Sequence, residues 1–308
     1  MRQHARDVHS FGEPWRVQVQ HCTLDLTVDF DAKQLRGTAE LRLVRHDPQA
    51  PLILDSRDLI IEGVHCNGEA AYEIGERNPI LGSPLVIHLP DGHLPDGANN
   101  VVTIRYATQP YASGLQWLNP EQTAGKKQPF LFSQSQSIHA RSWIPIQDSP
   151  AVRVTYHARI RTPTGLRAVM SAKRLPDADD SQRFEMDLPI PPYLIALGVG
   201  DIAYEPLGPR TGSTPNRRFS LRRSANSKIR KSWLKRWSDC MALTAGAAMN
   251  CWCFRQVFRS GAWKTRLLLL QRPRSLRGTR AWSAWFCTNW HTLGQAIWSR
   301  MPPGAISG

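Results

Sequence analysis

The chain has 308 residues, a formal net charge of +14 and a hydrophobic share of 41%. That length allows one large domain or two ordinary ones with a real core, and the composition excludes a chain disordered throughout. No apolar run reaches bilayer-spanning length, the polar stretch from Met1 to Trp15 lacks a signal-peptide core, and six cysteines are too few for a disulfide scaffold, so a reducing, cytoplasmic setting without a membrane anchor is expected.

Leu24, Leu26, Val28 and Phe30 alternate with Thr23, Asp25, Thr27 and Asp29, the period-two pattern of a half-buried strand. A polar turn at 31–34 leads to Ala39, Leu41 and Leu43 alternating with Glu40 and Arg42, which predicts a hairpin. Short apolar runs at 52–54 and 59–64 are cut by Asp55 and Asp58, and two more at 85–89 and 101–106 flank a Pro, Gly, Asp and Asn segment at 90–100. The clearest strand puts Val152, Val154, Tyr156, Ala158 and Ile160 on one face and Arg153, Thr155, His157 and Arg159 on the other, closed by a Pro-Thr-Gly turn at 163–165. Phe184, Met186 and Leu188 repeat the alternation, and 194–199 reads as a buried strand. Many short strands separated by turn signals predict a mainly β fold, an all-β sandwich or saddle.

The composition breaks near Gly212. Residues 1–211 carry 21 Lys and Arg against 24 Asp and Glu, whereas 212–308 carry 18 against a single acid, Asp239. The same tail holds eight of the eleven Trp. A folded soluble surface mixes both signs, so a poorly structured or weakly helical basic tail is predicted. Cys240, Cys251, Cys253 and Cys287 lack zinc-site spacing, and the Leu run at 267–270 reads as a core fragment. His139 and His157 are candidate general bases, but the commoner satisfied or surface histidine leaves both unassigned. No Gly-rich phosphate loop and no His-Glu-x-x-His occurs as printed.

Residues 130–150 read Phe-Leu-Phe-Ser-Gln-Ser-Gln-Ser-Ile-His-Ala-Arg-Ser-Trp-Ile-Pro-Ile-Gln-Asp-Ser-Pro. This segment closely resembles the M1 zinc aminopeptidases, in their leukotriene A4 hydrolase-like branch. The strand at 152–160, Ala-Val-Met-Ser-Ala at 168–172, Pro-Ile-Pro-Pro-Tyr-Leu-Ile-Ala-Leu at 189–197 and Gly-Pro-Arg-Thr at 208–211 fit the same branch in the same order. The resemblance covers residues 10–211 and implies a saddle-like β-sandwich N-terminal domain that packs on a separate thermolysin-like catalytic domain. It implies that Gln136 matches the family glutamine touching the N-terminal residue of a peptide substrate. Ser137 stands where the family usually has Ala, and Arg141 and Asp148 are expected to make structural polar contacts. Gln136 as a mere loop brace is the alternative. The family cofactor is zinc, its partners are peptide substrates, and its reaction is hydrolysis of N-terminal peptide bonds.

After Thr211 the family should supply Gly-x-Met-Glu-Asn and His-Glu-x-x-His, and neither is printed. The genetic code offers a reason when the third base of each codon is joined to the first two of the next. Trp263/Lys264 then forces Glu, Ala262/Trp263 permits Met, Lys264/Thr265 gives Asn or Asp, and the two preceding junctions permit Gly. Further on, Cys287/Thr288 gives His or Tyr, Thr288/Asn289 permits Glu, Asn289/Trp290 forces Leu, Trp290/His291 forces Ala, and His291/Thr292 again gives His or Tyr. Gly-Gly-Met-Glu-Asn and His-Glu-Leu-Ala-His thus both fit one shared frame, in family order. Junctions across 292–296 permit Ser-Trp-Ser-Gly, and those across 213–216 permit Val-Tyr-Ala-Glu. Residues 212–308 are therefore expected to be an out-of-frame, truncated remnant of the catalytic domain, ending before the downstream Glu that would be the third zinc ligand. No metal ligand is assigned in the printed chain.

The other reading is a non-catalytic β-module with a basic, Trp-rich tail that binds nucleic acid by phosphate contact and base stacking; the unselected tail is preferred and nucleic acid is not expected as a partner. A β-module left without its catalytic domain would expose the surface that domain covers, and an exposed apolar patch favours aggregation.

Overall fold

Alternating side chains and short turns build the largest sheet of the described residues. The computed structural model describes residues 7–90, 100–123 and 125–203, and beyond them the backbone of four short strands. In chain order the strands are β1 (Val17–Asp29), β2 (Gln34–Arg45), β3 (Leu52–Ser56), β4 (Ile60–His65), β5 (Tyr72–Ile74), β6 (Ser83–Ile87), β7 (Val101–Ala107), β8 (Leu115–Leu118) and β9 (Phe130–Ser133). They continue with β10 (Val154–Arg161), β11 (Arg167–Met170), β12 (Lys173–Arg174), β13 (Gln182–Ile190), β14 (Leu197–Gly200), β15 (Glu205–Gly208), β16 (Thr211–Ser213), β17 (Cys251–Arg255) and β18 (Arg266–Leu270).

The largest sheet has seven strands in the order β12-β13-β10-β1-β2-β7-β4. β1 and β2 form the predicted hairpin, Asp29 opposite Gln34, and the Asp29 carboxylate accepts the amides of Asp31 and Ala32 to hold the turn. Gly37 is required in β2: its φ is +157°, and a Cβ there would lie 1.9 Å from the Asp25 carbonyl oxygen. β10 pairs in parallel with β1, Leu24 opposite Ala158, and so joins the two halves of the domain. Inward residues Leu24, Leu26, Leu41, Ile104, Tyr156, Ile160 and Phe184 are fully buried in one shared core. Each such aliphatic side chain contributes about 1.5–3 kcal/mol relative to exposure.

A four-stranded sheet, β11-β14-β9-β8, and a three-stranded sheet, β3-β6-β5, share that core through Met170, Val199, Leu131, Leu115, Leu52, Leu54 and Leu85. The fold is mainly β, as the alternation predicts. One boundary differs: the strand expected at 194–199 begins only at Leu197, because Pro191 and Pro192 open a short 3-10 turn over Pro192–Leu194.

Of the basic tail, β17 and β18 pair as an antiparallel ladder with Cys251 opposite Leu270, so these two segments are strand rather than weak helix. The Leu run belongs to that ladder. Apart from Gly212 and Ser213 in β16, the rest of 212–308, including Cys240 and Cys287, lies outside the described residues, as does most of the 90–100 segment. Among the described residues no helix is long and apolar enough to cross a membrane.

Candidate functional site

The segment after β9 is fixed by its small polar residues. Ser133 Oγ accepts the Leu197 amide at 2.8 Å, tying the end of β9 to β14. Ser135 Oγ donates to the Ile195 carbonyl at 3.1 Å and accepts the indole N–H of Trp143 at 3.0 Å. Gln134 N–H donates to the Gly114 carbonyl, and Gly114 N–H returns to Ser142 Oγ, which itself donates to the His139 carbonyl. Gly114 must lack a side chain, since a Cβ would sit 2.5 Å from the His139 carbonyl oxygen. Trp143 is fully buried, and its carbonyl accepts the Tyr106 hydroxyl.

These contacts hold the loop without help from Gln136 or Ser137. Both are exposed, and neither side chain makes a hydrogen bond among the described residues. The peptide bond between them is cis. The two residues named from the sequence therefore stand together at the tip of a braced loop, with the Gln136 amide free to offer two N–H donors and one acceptor.

Beneath the loop lies a buried charge cluster. Arg141 is fully buried between Asp148, whose Oδ2 accepts its Nε at 3.2 Å, and Asp55, 3.4 Å from its Nη1. Its remaining donors reach the carbonyls of Leu81, His9 and Asp148. Asp55 also accepts Ser10 Oγ at 2.6 Å and the amides of Phe11 and Asp148 at 2.8 Å. Gln147 extends the same structure into β1, donating to the Val17 carbonyl and accepting the Val19 amide. The expected structural role of Arg141 and Asp148 is thus what the packing provides. Asp55 and Ser10, which sequence reasoning missed, complete the cluster from 86 (141 − 55) to 138 (148 − 10) positions away, with no local pattern to announce them.

Burial pushes the Asp148 carboxyl up to about 6, against the pull of Arg141 and with the Asp55 charge adding to the rise. Asp148 Oδ1 has no hydrogen-bond partner, so its ionised form is poorly solvated. A folded-state value above the ordinary 3.8 gives a contribution fully present below that value and lost as pH rises through about 6. His21 acts in the opposite sense: burial, then His157 and Arg42, push it down to about 4, so its contribution is present above 6.5 and lost as pH falls through 4. Urea midpoints of Asp148→Asn measured between pH 4 and 7 should therefore fall more steeply toward acid than those of the parent, because the Asp148 contribution that opposes the His21 loss is gone.

His157, a candidate base by sequence, lies on the outer face of the seven-stranded sheet, its Nε2 3.6 Å from Glu185 and its ring 4.7 Å from that of His21. His139 lies three residues beyond Gln136, with Nδ1 2.9 Å from Ser113 Oγ. The structure does not bring His139 and His157 together as an acid–base pair.

The family model of the peptidase M1 N-terminal domain matches residues 18–194, more than half of the chain. The chain belongs to that family. Leukotriene A-4 hydrolase of Xenopus laevis is 43% identical over 214 residues, covering 67% of this chain and 35% of the relative. Leucine aminopeptidase 2 of Pyricularia oryzae is 39% identical over 220 residues with the same two coverages. The solved structure of native yeast LTA4 hydrolase superposes with a TM-score of 0.64 at 34% identity, covering 71% of this chain and 34% of that one. The chain thus spans about a third of the length of the relatives it matches.

An M1 zinc metallopeptidase from Deinococcus radiodurans, 21% identical with a TM-score of 0.51, shares the fold. Zinc is the metal expected for the family. Among the described residues no three His, Cys, Asp or Glu side chains are placed to hold a metal ion.

Proposed function

We propose that residues 10–211 are the N-terminal β-domain of an M1-type zinc aminopeptidase and that their 134–137 loop contributes Gln136 and Ser137 to the cleft holding the N-terminal residue of a peptide. The observation that carries this reading is an exposed primary amide on a loop that other side chains already brace. A glutamine needed only to hold the loop would spend its donors and acceptor inside the protein. Left free, the amide can pair with a substrate's backbone or terminal amine, and the small Ser137 beside it lets a peptide approach closely.

Residues 212–308 are, on this proposal, the out-of-frame product of the catalytic domain. The abrupt charge break and the ordered hidden motifs support that reading. In His-Glu-x-x-His the two His share one helix face and bind the metal while the Glu activates its water, and the Glu of Gly-x-Met-Glu-Asn takes the peptide's α-amine. The printed tail supplies none of these in series, so the 308-residue chain is proposed to be catalytically silent and cytoplasmic. Purified chain incubated with an alanine arylamide and added zinc should release arylamine no faster than buffer does. Hydrolysis abolished by a chelator would overturn the proposal.

A further inference from the structure

Three segments meet beside the Gln136 loop: Arg57 just after β3, Ser113 just before β8, and His139. Arg57 Nη1 lies 3.3 Å from both Ser113 Oγ and His139 Nδ1, and Ser113 Oγ lies 2.9 Å from the same Nδ1. A guanidinium can only donate, so Nδ1 accepts, the imidazole is neutral, and its proton sits on Nε2. The nearby acids are already engaged. Asp58 forms a fork with Arg77 at 2.9 and 3.2 Å, while Asp55 and Asp148 flank Arg141. Among the described residues no carboxylate lies within ion-pair reach of Arg57.

The cluster therefore carries a half-buried positive charge, a hydroxyl that can turn, and a titratable ring, with no counter-ion. We propose that Arg57, Ser113 and His139 form a notch for a small oxyanion, a carboxylate or a phosphate. A planar guanidinium takes either group by two parallel N–H bonds, and the Ser113 hydroxyl supplies a further donor. The proposal is independent of the peptidase reading and needs no other domain.

Binding has a proton signature. Without an anion, burial and then the charges of Arg57 and Arg141 hold the His139 ring below the usual imidazole range. The groups acting on the notch are Arg57, Arg141, Asp58, Asp148 and Arg77. An anion at Arg57 offsets the repulsion, so anion and proton enter together.

Imidazole NMR titration of the 308-residue chain reads this directly, in sodium acetate, sodium phosphate, or sodium chloride of matched ionic strength. The His139 pKa should rise by about half a unit or more in one oxyanion relative to chloride. Comparing acetate with phosphate distinguishes the two sources. A folded Arg57→Gln should weaken the apparent affinity about tenfold or more. If that variant does not fold, Ser113→Ala should weaken it in the same direction. Identical His139 titration in all three salts, or an undiminished shift in folded Arg57→Gln, overturns the notch.

Discussion

Arg141→Met is expected to destabilise the domain by about 3–5 kcal/mol, the cost of removing one member of a buried ion cluster. Such a loss is a large part of a domain's whole stability. Arg141 is the only cation in ion-pair contact with Asp55 and Asp148 among the described residues, and all three side chains are at most 1% exposed. Methionine fills a similar volume but donates nothing. It leaves two facing carboxylates in a dry site and three backbone carbonyls, of Leu81, His9 and Asp148, without donors. Arg141→Lys should recover only part of the loss, because one ammonium cannot reach acceptors on four segments in the geometry of a guanidinium. Urea unfolding followed by far-UV circular dichroism, which reports the β-sheets that share the core, measures both. A Met variant within about 1 kcal/mol of the parent would show that the cluster contributes little.

The second large effect concerns activity. A one-base correction near codon 212, read on through the source gene, should convert a product proposed to be silent into a chelator-sensitive aminopeptidase. The change is from background to turnover on the order of 1–10³ per second, the ordinary range for enzymes. The β-domain is common to both products, so any difference resides in the chain after Gly212. In the corrected enzyme, Gln136→Leu should lower kcat/KM on an alanine arylamide about tenfold, equivalent to one lost hydrogen bond of about 1.4 kcal/mol. Its unfolding midpoint should stay unchanged, because Gln136 makes no side-chain hydrogen bond among the described residues. A glutamine that only braced the loop would give the reverse pattern.

Much of the fold is legible where burial alternates. β1, β2, β10 and β13 each bury one face, and period-two spacing reports that directly. β5 escapes notice because all three of its residues are exposed, leaving no apolar phase to detect. β8 and β9 are four residues each, too short to show a period. The start of β14 is displaced by two prolines whose geometry favours a turn over a ladder.

The loop tip at Gln136 and Ser137 was legible only through family resemblance, since nothing in local spacing marks an exposed amide as useful. The Asp55–Arg141–Asp148 cluster was half legible. Arg141 and Asp148 lie seven positions apart, but Asp55 and Ser10 arrive by tertiary closure, which composition and periodicity do not encode. The Arg57, Ser113 and His139 notch joins residues up to 82 positions apart and was hidden for the same reason.

The nucleotide sequence between codons 212 and 292 tests the central claim most directly. The account requires G as the third base of the Thr288 codon, C in the Cys287 and His291 codons, and A in the Ala262 and Lys264 codons. Those bases spell Met-Glu-Asn and His-Glu-Leu-Ala-His in the shifted frame. Any other base at Thr288 removes the hidden Glu and contradicts the account.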